Sequence, residues 1–548
     1  MNTMWKHLMN PKSGILERPL TYTYLKSCRR FQHLTISRNF SQRYKGKCCQ
    51  REAMMVKSRI CLMSMEKCLL NRESHSWQNS NYLLKTKKHL TEQPMLPNDR
   101  FSQKRYYSSS IFVSDRHSDI SSAFSYDLDL EEKLVDIEQL KVNLQRRGLD
   151  INIDQLKQDY AGYLQLGEEK VKLELKRENI ASQIAKIVGE QKRSGTKTKD
   201  QTSQMKCLKE EGKNTKSHLK QLMVKYWDVE ERVMLLALSL PSNLSIDVPD
   251  DLKVLQEHFE ERKPTLPVDH EEVLRQSDMV RLRNVGHKAY YLTGRLAVLE
   301  QELVTYFSTQ LRSQHIHQMA APEMFKAPVV ESGGIDMMDP ASVYRLQHKL
   351  GTIDMSDRHT DHMFLHGTSH LSFLSYFARM ELACENLPIQ MFAVGRNYIP
   401  ENVERKSLPG LYGVLQSIKV CMCAVCKSRE SSAEVVEQFT NLLTKLYQQF
   451  KVPFRLVSLP APSLTAAEEK RIELQMWIPS LQQYLKIGSV SMCGDYNSRR
   501  LMIRSSQNTQ NTSSKPVYMV HCEVTDITRM IAVLLEYQLT DNTWDASR

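Results

Sequence analysis

Apolar residues recur at a stride of seven along residues 154–238, the spacing that holds one stripe of a helix against a neighbour. Leu166, Leu173, Ile180 and Ile187 form one row. Met205 and Leu208, Leu219 and Leu222, Tyr226 and Val229, and Val233 and Leu236 form a second, double row. The polar stretch around Gly195 separates them, so the pattern predicts a long antiparallel coiled-coil hairpin. Gly212 and Thr215 interrupt the second row, and packing is expected to be loosest there. Upstream, residues 127–150 predict a helix on Leu134, Ile137, Leu140 and Leu144, stopped by Gly148. Downstream, residues 294–316 place Leu296, Leu299, Leu303, Phe307 and Leu311 on one helix face. From Pro267 on, helix-like and strand-like segments alternate, predicting an α/β or α+β domain. Within it, two apolar strand-like runs in residues 387–421 flank a polar, proline-containing loop.

Charge divides the chain. Residues 1–107 hold 21 Lys/Arg against 6 Asp/Glu, a balance of +15, so a total of +12 leaves residues 108–548 near −3. A basic, acid-poor leader has the makeup of a mitochondrial transit segment, and Lys104-Arg105-Tyr106-Tyr107 resembles a matrix-peptidase site. A basic disordered tail that binds nucleic acid is the other reading of this segment. The expected organisation is a leader at 1–107, a helical arm at 108–240, a linker at 241–266 around its prolines and acids, and an α+β domain at 267–548. Twelve irregularly spaced cysteines without a secretory signal argue for free thiols in a reducing compartment. No run reaches the roughly 18 to 20 apolar residues needed to span a bilayer.

Three constellations carry possible chemistry. Residues 170–225 contain 15 Lys/Arg and 6 Asp/Glu, and Lys192, Arg193, Lys197, Lys199, Lys206, Lys209 and Lys213 near the turn could track a phosphate backbone. A solvated helical face is the alternative. Four histidines and two aspartates fall within residues 357–370, but Gly367 between His366 and His370 argues against a helix presenting both to a metal ion. Cys421, Cys423 and Cys426 form C-x-C-x-x-C with no fourth ligand nearby, which reads better as a buried strand end. No metal site is expected.

The wording LPIQMFAVGRNYIPENVERKSLPGLYGVLQSIKVC at 387–421 resembles motif 2 of the class II aminoacyl-tRNA synthetases, and of mitochondrial seryl-tRNA synthetases in particular, with Tyr398, Glu401, Gly410-Leu411-Tyr412 and Lys419-Val420 in place. NLQRRGLD, the proline-rich 238–251 segment, GTSHLSFLSYF, residues 477–504 and the stretch around Arg529 carry the resemblance across about residues 127–540. It implies an antiparallel-sheet class II domain behind a tRNA-binding arm, and a dimer surface around Pro322. It also implies an ATP and serine site whose charged groups are replaced here. The motif 2 arginines fall on Ile399 and Gly413, and its closing glutamate on Cys421. The serine-binding glutamate falls on His370, the metal-side glutamate on Lys486 and an asparagine on Met492, while Glu401 and Arg529 are retained. The chain is most similar to the seryl-tRNA synthetase-like insect mitochondrial proteins, catalytically degenerate paralogues. That implies a matrix protein without catalysis or cofactor, which pairs with an authentic mitochondrial seryl-tRNA synthetase or with itself and binds mitochondrial RNA or tRNA-Ser. The alternative is an active, divergent serine–tRNA ligase using ATP and Mg²⁺, with substitute contacts from Arg396, Arg405 or Lys486.

Overall fold

Helix α1 (Ile137–Arg147) starts on the Asp136 side chain, which accepts from the Gln139 N–H at 2.9 Å, and ends at Gly148 with φ +68°, the left-handed stop that glycine supplies. It leads into α2 (Ile153–Ser194) and α3 (Lys199–Ser239), packed as a hairpin. With 42 residues in α2, the arm is about 63 Å long. Ile180, Ile187 and Leu208 bury together, and Leu219 and Leu222 are buried further down. An added methyl at Gly212 would meet Ile180 at an ordinary 3.5 Å, so the seam carries a methyl-sized gap there. Thr215 satisfies its hydroxyl on the Glu211 carbonyl at 2.8 Å. This is a computed structural model describing residues 109–112, 128–194, 199–263, 269–277, 280–282, 288–346, 362–506 and 514–540. The leader at 1–107, Gly195 and the side chains of Lys197 and Lys199 lie outside the described residues.

Two buried arginines fasten the base of the arm to the second domain. Arg147 donates to the carbonyls of Ser242, Thr465 and Glu468 at 3.1, 2.9 and 2.6 Å. Arg500 donates to those of Leu238 and Leu240 at 3.1 and 3.3 Å and lies 3.4 Å over the Tyr496 ring. A clip at residues 109–112 adds a third fastening. Ser109 Oγ donates to Glu331 at 2.6 Å, and the Ser110 N–H and Oγ donate to the other carboxylate oxygen at 2.7 and 2.5 Å. Ile111, 1% exposed, shares a cluster with Leu140, Leu144, Leu156 and Leu240.

The second domain is built on an eight-stranded sheet of β1 (Lys253–His258), β2 (His317–Met319), β3 (Ile389–Tyr398), β4 (Gln416–Cys426), β5 (Phe454–Ser458), β6 (Lys470–Ile478), β7 (Gln483–Gly494) and β8 (Tyr518–Asp526). Their order is β1-β5-β6-β7-β8-β4-β3-β2, and every pairing is antiparallel except β2 with β3. The stretch expected as a linker, 241–266, is therefore partly sheet: β1 pairs with β5 along an edge, and the Ser242 and Ser245 N–H groups bond to Ala466 and Glu469. Its alternation is hidden because an edge strand leaves Val254 and Leu255 about 40% exposed.

Alternation along β4 divides the core. Val420, Met422, Ala424 and Cys426 face one cluster, where α5 (Gly294–Ser313), α8 (Arg429–Gln448) and α10 (Ile527–Thr540) pack, with α4 (His270–Ser277) against α10. Cys421, Cys423 and Val425 face the other, with α6 (Ala327–Ser332), α7 (His370–Phe377) and α9 (Tyr496–Leu501). A period of two thus puts Cys426 on the opposite face from Cys421 and Cys423, and the three thiols cannot share one ion. The helix expected at 294–316 buries Leu296, Leu303, Phe307 and Leu311 in the core, while Pro322 lies exposed beyond the outer strand β2.

Candidate functional site

A cavity of about 250 Å³ opens on the face of the sheet that carries Cys421. The register sets Cys421, Glu523 and Ser489 side by side on β4, β8 and β7, with His521 opposite Ser491 one step along. His370, Ile399, Cys421 and Lys486 all line this cavity. Sequence positions far apart in the chain are thus brought together. Met492 is not among them: it is 5% exposed and belongs to the core on the opposite face, while its neighbours Ser491 and Cys493 face the cavity.

The charged groups close on each other. Glu523 accepts from Lys419 Nζ at 2.6 Å and from Lys486 Nζ at 3.0 Å. Burial would raise this carboxyl, but the two ammonium groups outweigh it and hold it far below the ordinary carboxylate range. Beside it, Arg471 lies 3.2 Å from Glu468 and 3.5 Å from Glu473, and Ser491 Oγ donates to Glu468 at 2.6 Å. Three cations therefore meet three carboxylates. The remaining titratable groups are uncharged near neutrality. Burial lowers His366 to about 3 and also lowers His370 and His521, and it pushes the Cys421 thiol up to about 12. Such groups offer neither an activated nucleophile nor a carboxylate free to take a metal ion.

The loop between β3 and β4 is held from outside the cavity. Arg405, 6% exposed, donates to the Val414 carbonyl, and Lys288 Nζ donates to the carbonyls of Arg405 and Leu408. At Gly413 a Cβ would come within 2.4 Å of the Leu408 carbonyl oxygen and 2.8 Å of that of Arg405, so this turn admits no side chain. Arg529 donates to the carbonyls of Tyr412 at 3.2 Å and Lys486 at 2.9 Å, tying loop, β7 and α10 together. Neither Gly413, Glu401, Arg396, Arg405 nor Arg529 is among the residues lining the cavity. Glu401 is exposed within the loop, and Arg396 is exposed on β3.

One constellation escaped sequence reasoning. Among the described residues, Asp269, His270 and Glu536 bring three ligand-type atoms within 4.8 Å. The Leu411 N–H donates to His270 Nε2 at 3.2 Å, so Nδ1 carries the ring proton and donates to Glu536 at 2.8 Å. Glu536 also accepts from Tyr412 Oη at 3.1 Å and from the Ser480 N–H and Oγ at 3.0 and 2.7 Å. With both ring nitrogens of His270 engaged and four hydrogen bonds on Glu536, this cluster serves as a clamp on the loop. Gly410, at φ +50°, fits it because a Cβ would lie 2.3 Å from His270 Nε2. A lone histidine 266 residues from its carboxylate leaves no local signal.

On the arm, Lys192, Arg193, Lys206, Lys209 and Lys213 are exposed. The last three, spaced three and four apart, share one face of α3.

The sheet, its two flanking layers and the loop between β3 and β4 define a class II aminoacyl-tRNA synthetase core, and residues 349–538 match the family described as tRNA synthetase class II core domain (G, H, P, S and T). Among solved structures, the seryl-tRNA synthetase of Pyrococcus horikoshii complexed with ATP superposes with a TM-score of 0.62 at 19% identity, covering 75% of this chain and 94% of that one. The cytoplasmic serine–tRNA ligase of Naegleria fowleri in complex with AMP gives the same TM-score at 16% identity, over 75% and 93%. In sequence, the mitochondrial serine–tRNA ligase of Bos taurus is 28% identical over 69% of this chain and 72% of its own length. The serine–tRNA synthetase-like protein Slimp of Drosophila melanogaster is 25% identical over 75% and 84%. The chain is a seryl-tRNA synthetase-like homologue. No described helix is long and apolar enough to cross a membrane.

Proposed function

We propose that this chain is a mitochondrial synthetase-like protein that has left catalysis and acts by binding, with residues 1–107 as its matrix-targeting leader, 108–240 as an RNA-contacting arm and 267–548 as a class II platform. The observation that carries the proposal is the closed set Lys419–Glu523–Lys486. Amino-acid activation needs fixed cations on the triphosphate and free carboxylates on its metal ions. Here the carboxylates expected at 421 and 486 are a thiol and an ammonium, and the adjacent carboxylate is already shared. His370, held neutral, offers no fixed charge to an ammonium substrate. Ile399 and Gly413 bring no guanidinium, and Arg529 is spent on backbone carbonyls. The substitute cations fare no better, since Arg396 is exposed on β3 and does not line the cavity, Arg405 is buried on Val414 and Lys486 is paired.

Serine-dependent ATP–pyrophosphate exchange by residues 108–548 is the test. None above background is expected, and exchange that co-elutes with the chain and scales with its concentration overturns the proposal. For partners, the exposed surface around Pro322 and β2 pairs with a mitochondrial seryl-tRNA synthetase or with a second copy. Capture of that ligase from mitochondrial extract, or a homodimer by sedimentation, is expected; a monomer that captures nothing refutes pairing. The lysines of the arm contact mitochondrial RNA or tRNA-Ser, so deleting residues 192–213 should weaken RNA binding and flatten its salt dependence.

A further inference from the structure

Where β6 turns into β7, the register sets Trp477 opposite Tyr484, and the two rings form a corner, with 5.3 Å between centroids and 75° between planes. Both residues are held in place. The Trp477 N–H donates to the Pro453 carbonyl at 3.0 Å, and its own carbonyl accepts from Tyr537 Oη at 3.2 Å. Arg455 lies over the Tyr484 ring at 4.0 Å, and Tyr484 Oη donates to Glu260 Oε1 at 2.8 Å. Lys263 fills the corner. Its ammonium lies 4.5 Å from the centre of the Trp477 ring and 4.8 Å from that of Tyr484, and it donates to the same Glu260 oxygen. Among the described residues it is the one lysine that lies over two rings. An ammonium has three hydrogens, and this corner has three sides. Glu260 is a hydrogen-bond acceptor. The other two sides are ring faces, which attract the charge but return little of the hydration that an N–H gives up. A methyl group on either of those two positions costs no hydrogen bond to the protein, carries less water and meets an apolar face. The nitrogen keeps its charge, and its remaining N–H stays on Glu260.

We propose that Lys263 is a methylation site, and that the corner of Trp477, Tyr484 and Glu260 holds it as dimethyl-lysine. The methyl donor is a sulfonium compound presented by a separate methyltransferase. The free amine attacks the methyl carbon, and the N–C bond forms as the C–S bond breaks. The electron pair of the broken bond stays on sulfur, leaving a neutral thioether, and the nitrogen gives a proton to water; the step runs twice. Inside the corner, burial works to deprotonate the amine, but Glu260 outweighs it and holds the amine above its ordinary lysine value. Transfer therefore takes place with the side chain, already 30% exposed, swung into solvent, and the corner receives the product. A third methyl would replace the N–H that Glu260 accepts, so the geometry stops at two. The inference is independent of whether the chain retains catalysis.

Peptide mass spectrometry of the chain isolated from its source organism is expected to find Lys263 methylated, with the dimethyl form predominating. Lys263 wholly unmodified, or with the monomethyl or trimethyl form predominating, overturns the proposal. The fit is tested separately on the recombinant full chain, whose lysines are converted to ¹³C-dimethyl-lysine with formaldehyde and cyanoborohydride. Ring currents should move the Lys263 methyl resonances upfield, clear of those of exposed lysines, and their loss in Lys263→Arg assigns them. Trp477→Leu, with circular dichroism unchanged, should return them to the exposed position, an effect that a merely structural ion pair with Glu260 would not produce. Lys263 methyl resonances that coincide with those of exposed lysines, or that stay in place in Trp477→Leu, also overturn the proposal.

Discussion

Replacing Glu523 by glutamine isolates what the closed ion cluster contributes. The substitution keeps the shape of the side chain and an oxygen acceptor, but leaves the ammonium groups of Lys419 and Lys486, formerly 2.6 and 3.0 Å from the carboxylate, with no counter-charge between them. Breaking a buried pair by removing one partner typically costs about 3 to 5 kcal/mol. The Lys486 side chain is 31% exposed and that of Lys419 only 11%, so water relieves one ammonium more than the other, and a loss of about 3 kcal/mol is expected. Removing the second cation as well, in Glu523→Gln with Lys486→Met, leaves one ammonium beside an amide oxygen and should restore about half of that loss. Urea unfolding of residues 108–548 at pH 7, followed by a probe of the sheet domain, reads both. A pH series supplies the signature. The folded carboxyl lies below its ordinary 4.5, so its stabilisation is present above pH 4.5 and is lost as the pH falls through the folded value; the single variant should lack that acid-side decline. A midpoint for Glu523→Gln within error of wild type, or a double variant less stable than the single one, refutes the reasoning.

Two further substitutions probe the frame. Gly413→Arg puts back a family arginine, yet its Cβ would lie 2.4 Å from a carbonyl oxygen, so it should displace the loop, lower the melting temperature by several degrees and restore no pyrophosphate exchange; a variant as stable as wild type contradicts this. Burial raises Glu469 to about 7 despite Arg429 at 2.9 Å, so the folded state holds that proton more tightly than the unfolded chain. The stability this gives is full below about pH 4.5 and lost as the pH rises through 7, by up to roughly 3 kcal/mol. Glu469→Gln should flatten that decline, as urea midpoints at pH 5 and pH 8 would reveal.

Much of the arm and the β3–β4 hairpin was legible because their signals are local and periodic. Ile180, Ile187, Leu208 and Leu222 repeat at helical spacing, and LPIQMFAV and VLQSIKVC are short runs apolar at most positions. The edge strand β1 was not, since a strand that buries neither face carries no alternation to read. The cavity was half legible. Alignment to a motif finds His370, Cys421 and Lys486 as substitutions, but it cannot tell that Glu523, from a strand late in the chain, stands between two lysines. Nor can it tell that Met492 points away, because a bulge and the pleat of β7 decide its face. Gly413 read as a lost arginine; only the carbonyls of Leu408 and Arg405 make it a position where no side chain fits. The His270–Glu536 clamp depends wholly on tertiary contact.

The serine clip at the foot of the arm marks a point past which the chain cannot be shortened without cost. A cut beyond Ser109 would meet engaged residues: two hydroxyls and an N–H are committed to Glu331, and Ile111 is buried. Cutting deeper would have to draw an isoleucine out of the cluster that joins the arm to the domain. A chain shortened past Ile111 should therefore have its arm loosened at its root.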